Sequence, residues 1–400
     1  MEKHENKLKK KLLVVAAVLI QVCLGTVYAF SVFVNPLRET MGWSLNQVSL
    51  AFTICLASFT IFMNVAGRLQ DRKGPRLTAT IGGLLLGCGL IWAGLTRSLL
   101  GFYLAYGVMA GAGIGFGYVA PISTLVQWFP ERKALMSGLG VFGFGAGPLV
   151  LAPTATYLIG LYGVNRTLTL VGAIFLLVVS GSAQLLSLPR PISAQKVAGG
   201  EAEQPIWQTG RFWRLWLYFL VGAGAGLMVI SQAAPLAQEL AGLSVVEAAS
   251  IVGLLALTNG LGRLLWGYVA DKYGYDRTLA LIFALFTLDL LVVLQLAANR
   301  WLLSIGLLTA AFCFGGILAL MPALTSKYFG DARLGRNYAL VFSAYGVAGV
   351  LGPMLISMVF THTGSYMAAL WFYGLASLVA WLSFRPFQTM RLAAGKQFKS

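Results

Sequence analysis

Ionisable side chains are scarce in this 400-residue chain, which carries 13 acidic residues, 2 histidines and only 10% charged residues in all. His4 and His362 fall at a terminus and in an outer loop, which excludes an intramembrane histidine relay. The cysteines Cys23, Cys55, Cys88 and Cys313 are scattered singly through apolar runs. That spacing excludes a disulfide framework and a metal site, and they read as small apolar fillers. No paired carboxylates, His/Cys cluster or activated serine falls at membrane depth, so a membrane enzyme or sensor is not expected. A Gly-Lys-Ser/Thr phosphate loop is also missing, so no nucleotide-driven activity and no cofactor are expected.

What is abundant is apolar. At 58% hydrophobic residues and a mean hydropathy of +0.79, the composition excludes a soluble domain and indicates an all-α integral membrane protein. Apolar runs of about 20 residues predict twelve transmembrane helices near 12–34, 46–66, 77–97, 100–127, 134–158, 166–187, 211–232, 246–269, 278–298, 301–326, 335–360 and 364–384. The first has a basic stretch before it, Lys7 to Lys11, like a signal peptide. Its run is too long and ends in Val34-Asn35-Pro36 without a small-residue cleavage pattern, so it is read as a span. No further domain is expected after the last helix.

The net charge of +16 would suit a nucleic-acid binder if it were clustered on one domain. It is not. Of the 29 Lys and Arg residues, all except Arg38, Arg97, Arg166, Arg300 and Arg263 lie at the two ends or in every second loop. The basicity is therefore a topology signal, which puts both termini in the cytoplasm. No nucleic-acid partner is expected, and the short loops suggest the inner membrane of a prokaryote.

The chain also repeats. Gly67-Arg-Leu-Gln-Asp71-Arg-Lys-Gly74 after the second helix recurs as Gly267-Tyr-Val-Ala-Asp271-Lys-Tyr-Gly274 after the eighth. Gly42-Trp-Ser44 likewise matches Gly242-Leu-Ser244, and Trp128-Phe129 matches Tyr328-Phe329. These pairs divide the chain into an N-terminal six-helix half (1–187), a hydrophilic linker (188–210) and a C-terminal six-helix half with a short tail (211–400). A duplicated unit of this kind places a substrate site near mid-membrane, between the halves.

One residue stands out at that depth. Arg263 sits in the eighth apolar run, where a charge costs ~3 kcal/mol on insertion scales and so faces a cavity, a partner or a ligand. At 100° per residue it shares a stripe with Val252, Ala256, Asn259 and Trp266, while Leu254, Leu257, Leu261, Leu264 and Leu265 lie on other faces. Snorkelling to a headgroup is the competing reading, since the helix end lies roughly 10 Å away at 1.5 Å per residue. Asn259, one turn deeper, extends the polar stripe inward and favours a fixed cation for an anionic substrate.

Together, Gly67-x-Leu69-x-Asp71-Arg72-x-Gly74-x-Arg76 and the duplicated twelve-helix layout resemble the major facilitator superfamily over essentially the whole chain. In that superfamily this loop brakes the conformational change, its aspartate engaging the start of a helix in the other half. The resemblance assigns a gating role to Gly67, Asp71, Arg72, Gly74 and Arg76, and more weakly to Asp271. The second copy has Asp276 where the first has Arg76, so its lock is expected to be looser. Trp128-Phe-Pro-Glu-Arg132-Lys133-Ala-Leu-Met-Ser-Gly138 resembles the entry to the fifth helix of monocarboxylate transporters and of the oxalate/formate antiporter family. Asn337-Tyr338 and Gly346-Val-Ala-Gly349-Val-Leu-Gly-Pro353 resemble the antiporter family as well. In both groups an arginine on the eighth helix holds the substrate carboxylate, and Arg263 occupies that place.

Two departures narrow this expectation. Where the oxalate antiporter has a lysine on helix eleven, this chain has Tyr345, and one fixed cation suits one carboxylate. Where animal monocarboxylate transporters have an aspartate a turn before the arginine, this chain has Asn259, which leaves the proton's place open. Phase and resemblance add Tyr28, Tyr118, Phe314, Phe342 and Tyr345 as further substrate-binding candidates, since a tyrosine hydroxyl can bond a carboxylate while its ring packs on a short alkyl chain. Ordinary packing is the alternative for each. Gly107, Gly111 and Gly115 on helix four read as packing residues. Asp289, the one acid deep in an apolar run, is a candidate proton carrier, a structural acid or the partner of a nearby base. The resulting expectation is a monomeric secondary transporter in the lipid bilayer, moving a small monocarboxylate with a proton. An anion exchanger built on the same site, or a facilitator for another solute such as a sugar or drug, is the alternative.

Overall fold

The computed structural model describes residues 2–189, 205–296 and 299–383, and all secondary structure in them is helical. The first passage runs through Glu2–Gly25, a 3-10 turn at Thr26–Ala29 and Ser31–Met41, longer at both ends than its apolar run. The second and third are Leu45–Lys73 and Pro75–Leu95. The fourth enters at Leu99–Phe102, widens into a π-helix at Tyr103–Ala110 and continues as Gly111–Trp128. The fifth and sixth form one hydrogen-bonded stretch, Lys133–Ala183, broken at Gly163 (φ 76°, ψ 165°). The expected separate helices 134–158 and 166–187 thus meet at a turn on Gly163, with no loop between them.

Most of the expected linker lies outside the described residues. Its described end contains a 3-10 turn at Ile206–Gln208, and the seventh passage begins at Gly210, inside the range first read as linker. That passage comprises Gly210–Ser231 and Ala233–Ala241, and the eighth is Val245–Tyr273. The ninth starts as Tyr275–Leu288, passes through a π turn at Asp289–Val293 and ends in a 3-10 turn at Leu294–Leu296. Arg300–Phe329, Leu334–Thr363 and Met367–Leu382 complete the order. Among the described residues, 9 helices are long and apolar enough to cross a bilayer, the kinked fifth-and-sixth stretch being one of them. The eighth passage, diluted by Glu247, Asn259 and Arg263, and the shorter twelfth fall outside that set, and the whole order accommodates twelve crossings.

The repeat is built into the caps. Ser44 and Ser244 each accept a backbone N–H three residues on, from Gln47 and Glu247, whose side chains accept the serine's own N–H in return. These reciprocal capping boxes satisfy donors that would otherwise be orphaned where the helix meets the membrane surface. The preceding Gly42 (φ 71°) and Gly242 (φ 61°) take the left-handed conformation that ends the previous helix, which a side chain would resist.

Close approach between helices rests on small residues. A Cβ placed on Gly111 would lie 2.5 Å from the Cys55 carbonyl oxygen, and one on Gly115 would lie 2.7 Å from that of Phe59. The fourth helix therefore packs directly on the backbone of the second, as small-residue stripes allow in lipid. Overpacking such a contact costs about 1–3 kcal/mol. Gly111→Val is accordingly expected to lower the thermal unfolding midpoint of the detergent-purified protein, whereas the same change at Gly160, with open space around it, leaves it unchanged.

Candidate functional site

The eighth helix brings Arg263 to the boundary between the two halves. The residue is buried at 5% exposure, and its Nη1 donates to the Val141 carbonyl of the fifth helix. Two glycines of that helix make the approach possible. A Cβ on Gly138 would collide with the Arg263 carbonyl oxygen, and one on Gly145 would sit 2.5 Å from Nη1. Four tyrosines, Tyr118, Tyr28, Tyr345 and Tyr338, are the charge's electrostatic neighbours. Arg263 enters no salt bridge among the described residues, and its buried Nε has no hydrogen-bond partner.

An aromatic cluster surrounds this cation. Tyr28 and Tyr345 join hydroxyl to hydroxyl at 2.6 Å, linking the first helix to the eleventh across the halves. Phe342 stacks on Tyr345 at 4.9 Å between centroids and touches Tyr118 at 5.0 Å. Phe314 lies parallel to Tyr345 at 6.5 Å. The expected residues Arg263, Tyr28, Tyr118, Phe314, Phe342 and Tyr345 are thus brought together. Sequence phase missed Phe59, Phe144 and Tyr338, which complete the same cluster through contacts with Tyr118 and Phe342. Gln21 ties the cluster to the first helix by donating to the Tyr118 carbonyl at 3.0 Å.

Asn259 is placed differently from the expectation of a cavity-facing residue. Its amide donates to the Ala311 carbonyl of the tenth helix at 3.0 Å. The cause is backbone proximity, since a Cβ on Gly315 would lie 2.2 Å from the Asn259 carbonyl oxygen. Further along the same stripe, Val252 is 41% exposed while Asn259 and Trp266 are buried. Asp289 is also apart from the tyrosines. It is 1% exposed, neither carboxylate oxygen has a partner, and Oδ1 would lie 2.9 Å from a Cβ on Gly306 of the tenth helix.

The end of the bundle that carries the termini is shut. Asp71 accepts the backbone N–H groups of Gly335 (3.0 Å) and Arg336 (2.8 Å), at the start of the eleventh helix. Asp271 accepts those of Ala134 (3.0 Å) and Leu135 (2.8 Å), at the start of the fifth. Both are carboxylates at positive helix ends, where first-turn N–H groups lack partners. The bonds match in length, so the expected looseness of the second copy is not found. Asp276 instead turns away, to Lys327 and the Tyr328 hydroxyl. Gly67 lies against Gly335, while Gly74 (φ 92°) turns the chain. Arg72 and Arg76 remain exposed without a partner among the described residues. One latch was not expected: Lys133, within the motif that enters the fifth helix, donates to Asp331 at 2.9 Å and to Ser326 at 2.7 Å, again across the halves. Among the described residues every hydrogen bond between the halves lies at this end or at the depth of Arg263.

The sequence profile of the Major Facilitator Superfamily matches residues 16–294 and 247–397. The chain belongs to this superfamily. It is 30% identical over 344 residues to the uncharacterized MFS-type transporter YhjX of Escherichia coli (strain K12), spanning 85% of each chain. It is also 29% identical over 361 residues to the oxalate:formate antiporter of Oxalobacter formigenes (88% of this chain, 85% of that one). With Monocarboxylate transporter 11 of Mus musculus it shares 27% identity over 365 residues (86% and 79%). The fold is that of the proton:xylose symporter XylE, at a TM-score of 0.74 and 17% identity over 94% of this chain and 95% of the other. As a superfamily member the protein is a multi-pass membrane transporter and not an enzyme.

A charge-assisted hydrogen bond contributes about 1.5–3 kcal/mol, so each aspartate lock can hold the closed end by at least a tenfold population ratio. Spin-label distances between the halves are expected to shift towards the open form in Asp71→Ala and, by a similar fraction, in Asp271→Ala. A shift in the first alone would show that the second lock is the weaker.

Proposed function

We propose that the protein is a secondary active transporter of small monocarboxylates of the lactate, pyruvate or formate type, working as a monomer by alternating access with proton symport. The observation that carries this reading is Arg263: a buried cation between the halves, with no salt-bridge partner among the described residues and an unpartnered Nε. A carboxylate supplies the missing charge and accepts from the guanidinium in charge-assisted bonds. The hydroxyl of Tyr118 and the one free O–H of the bonded Tyr28–Tyr345 pair can donate to the same anion, and Phe314 and Phe342 supply the apolar wall for a short alkyl group. One fixed cation matches one carboxylate, since Tyr345 replaces a second. Asn259 supports this pocket by holding the eighth helix on the tenth. Gly67, Asp71, Arg72, Gly74, Arg76 and Asp271 form the gating surface on the closed end, which we place in the cytoplasm of a prokaryotic cell, under the inner membrane, from the distribution of Lys and Arg.

Similarity to an oxalate:formate antiporter and to monocarboxylate transporters supports a carboxylate over a sugar or a cationic drug. Exchange is the second reading, favoured by the lack of a salt-bridge partner for Arg263 among the described residues. In that case the anion alone neutralises the site on each crossing. Symport requires a proton-carrying group, for which Asp289 is our candidate.

Proteoliposomes with acid outside and labelled L-lactate separate these readings. Accumulation that follows the pH gradient supports symport, and uptake only into vesicles preloaded with unlabelled acid supports exchange. Truncating one partner of a buried charge pair costs about 2–5 kcal/mol, so Arg263→Ala is expected to lower uptake by at least roughly thirtyfold while the purified protein stays monodisperse. Normal uptake in that variant overturns the site. In Asp289→Asn, gradient-driven accumulation is expected to fall while exchange persists; unchanged accumulation would assign Asp289 to packing.

A further inference from the structure

At the end of the bundle opposite the termini, arginines are rare, and two of them meet. Arg97, after the third helix, and Arg166, in the first turn of the sixth, line one cleft of about 630 Å³. That volume falls within the ~300–1,000 Å³ of small-molecule sites. The two helices are held together there by Gly94, where a Cβ would lie 2.4 Å from the Asn165 carbonyl oxygen and 2.4 Å from Thr169 Oγ1. Neither arginine forms a salt bridge among the described residues.

The cleft also holds an amide with nothing to bond. Both side-chain polar atoms of Asn165, which lines the cleft, are buried and without a hydrogen-bond partner. Buried polar groups are normally satisfied, so an orphaned amide beside two unpaired guanidinium groups points to an absent anion with hydrogen-bonding oxygens. The walls point to its source. Leu95 (68% exposed), Tyr162 (49%) and Leu170 (43%) flank the cleft, and Ile174 and Leu177 continue the exposed apolar surface along the sixth helix. A soluble anion gains nothing from such a surface, whereas a lipid lays its acyl chains along it while its phosphate meets the arginines at the interface.

We propose that this cleft is a binding site for an anionic glycerophospholipid, with the headgroup phosphate held by Arg97 and Arg166. The site lies in the N-terminal half alone and is separate from Arg263. A lipid bound there clamps the third helix to the sixth on the side where the transporter is not locked by its aspartates.

Native mass spectrometry of the purified full chain, titrated with dioleoyl-phosphatidylglycerol, dioleoyl-phosphatidylcholine or inorganic phosphate, tests this. One phosphatidylglycerol is expected to bind in preference to phosphatidylcholine. At ~1 kcal/mol per interfacial arginine, the Arg97→Gln/Arg166→Gln pair is expected to lose at least about tenfold in that affinity. The Arg97→Lys/Arg166→Lys pair, which keeps both charges, and Arg38→Gln, on the same end of the bundle, are expected to keep most of it. If the glutamine pair does not fold, each single glutamine variant is expected to show a partial loss. Equal binding of the two lipids, or undiminished phosphatidylglycerol binding in the glutamine variants, overturns the proposal. Competition by inorganic phosphate at equal affinity overturns the lipid and leaves a site for a soluble anion.

Discussion

A guanidinium without a salt-bridge partner among the described residues governs this molecule. Placing Arg263 at membrane depth costs ~3 kcal/mol or more, and the surrounding protein recovers only part of that. Val141 accepts one hydrogen bond, four tyrosines stand near the charge, and the buried Nε has no partner. The fifth helix has glycine at positions 138 and 145 because any side chain there would strike the arginine. The Phe59, Tyr118, Phe144 and Phe342 rings pack on one another in the same aromatic cluster and bring no compensating charge. In the function proposed above, an anionic substrate completes the electrostatics of this site.

The position of that charge connects binding to movement. Arg263 belongs to the C-terminal half but bonds to the N-terminal one, so an anion there touches the same seam that must open and close. At the closed end the seam is held by Asp71, Asp271 and the Lys133–Asp331 pair, all near the ends of the fifth and eleventh helices. A ligand can shift such an equilibrium only by its differential affinity for the two states. Tyr28 and Tyr345, bonded to each other across the seam beside Arg263, are placed to supply that difference, because closing or parting them changes the hydroxyls offered to the anion.

Much of this was legible beforehand, for physical reasons that differ by element. Apolar runs of bilayer length and caps such as Ser44 and Ser244 are local signals, and they located the helices and the duplication. Arg263 was conspicuous because its cost is so high. Residues that act through tertiary proximity were not legible. Phe59, Phe144 and Tyr338 lie in helices apolar on every side, where periodicity does not mark the inner face. Lys133 and Asp331 pair across 198 positions, which no local signal marks. The bond of Asn259 to the Ala311 carbonyl was not legible either, because it depends on Gly315 drawing the tenth helix onto the eighth. Asp276 suggested a weaker second lock, but Lys327 and Tyr328 absorb its charge and leave Asp271 free to bond the fifth helix.

The central claim is that Arg263 is a receptor for one carboxylate, and direct binding tests it without the complications of coupling. Equilibrium binding of labelled L-lactate, pyruvate and formate to the purified protein, compared between the wild type and Arg263→Gln, is the decisive measurement. The account predicts that the wild type binds at least one of these acids and that the glutamine variant, folded to the same unfolding midpoint, binds none of them measurably. Equal binding by both proteins, or preference of the wild type for an uncharged analogue such as lactamide, would contradict it.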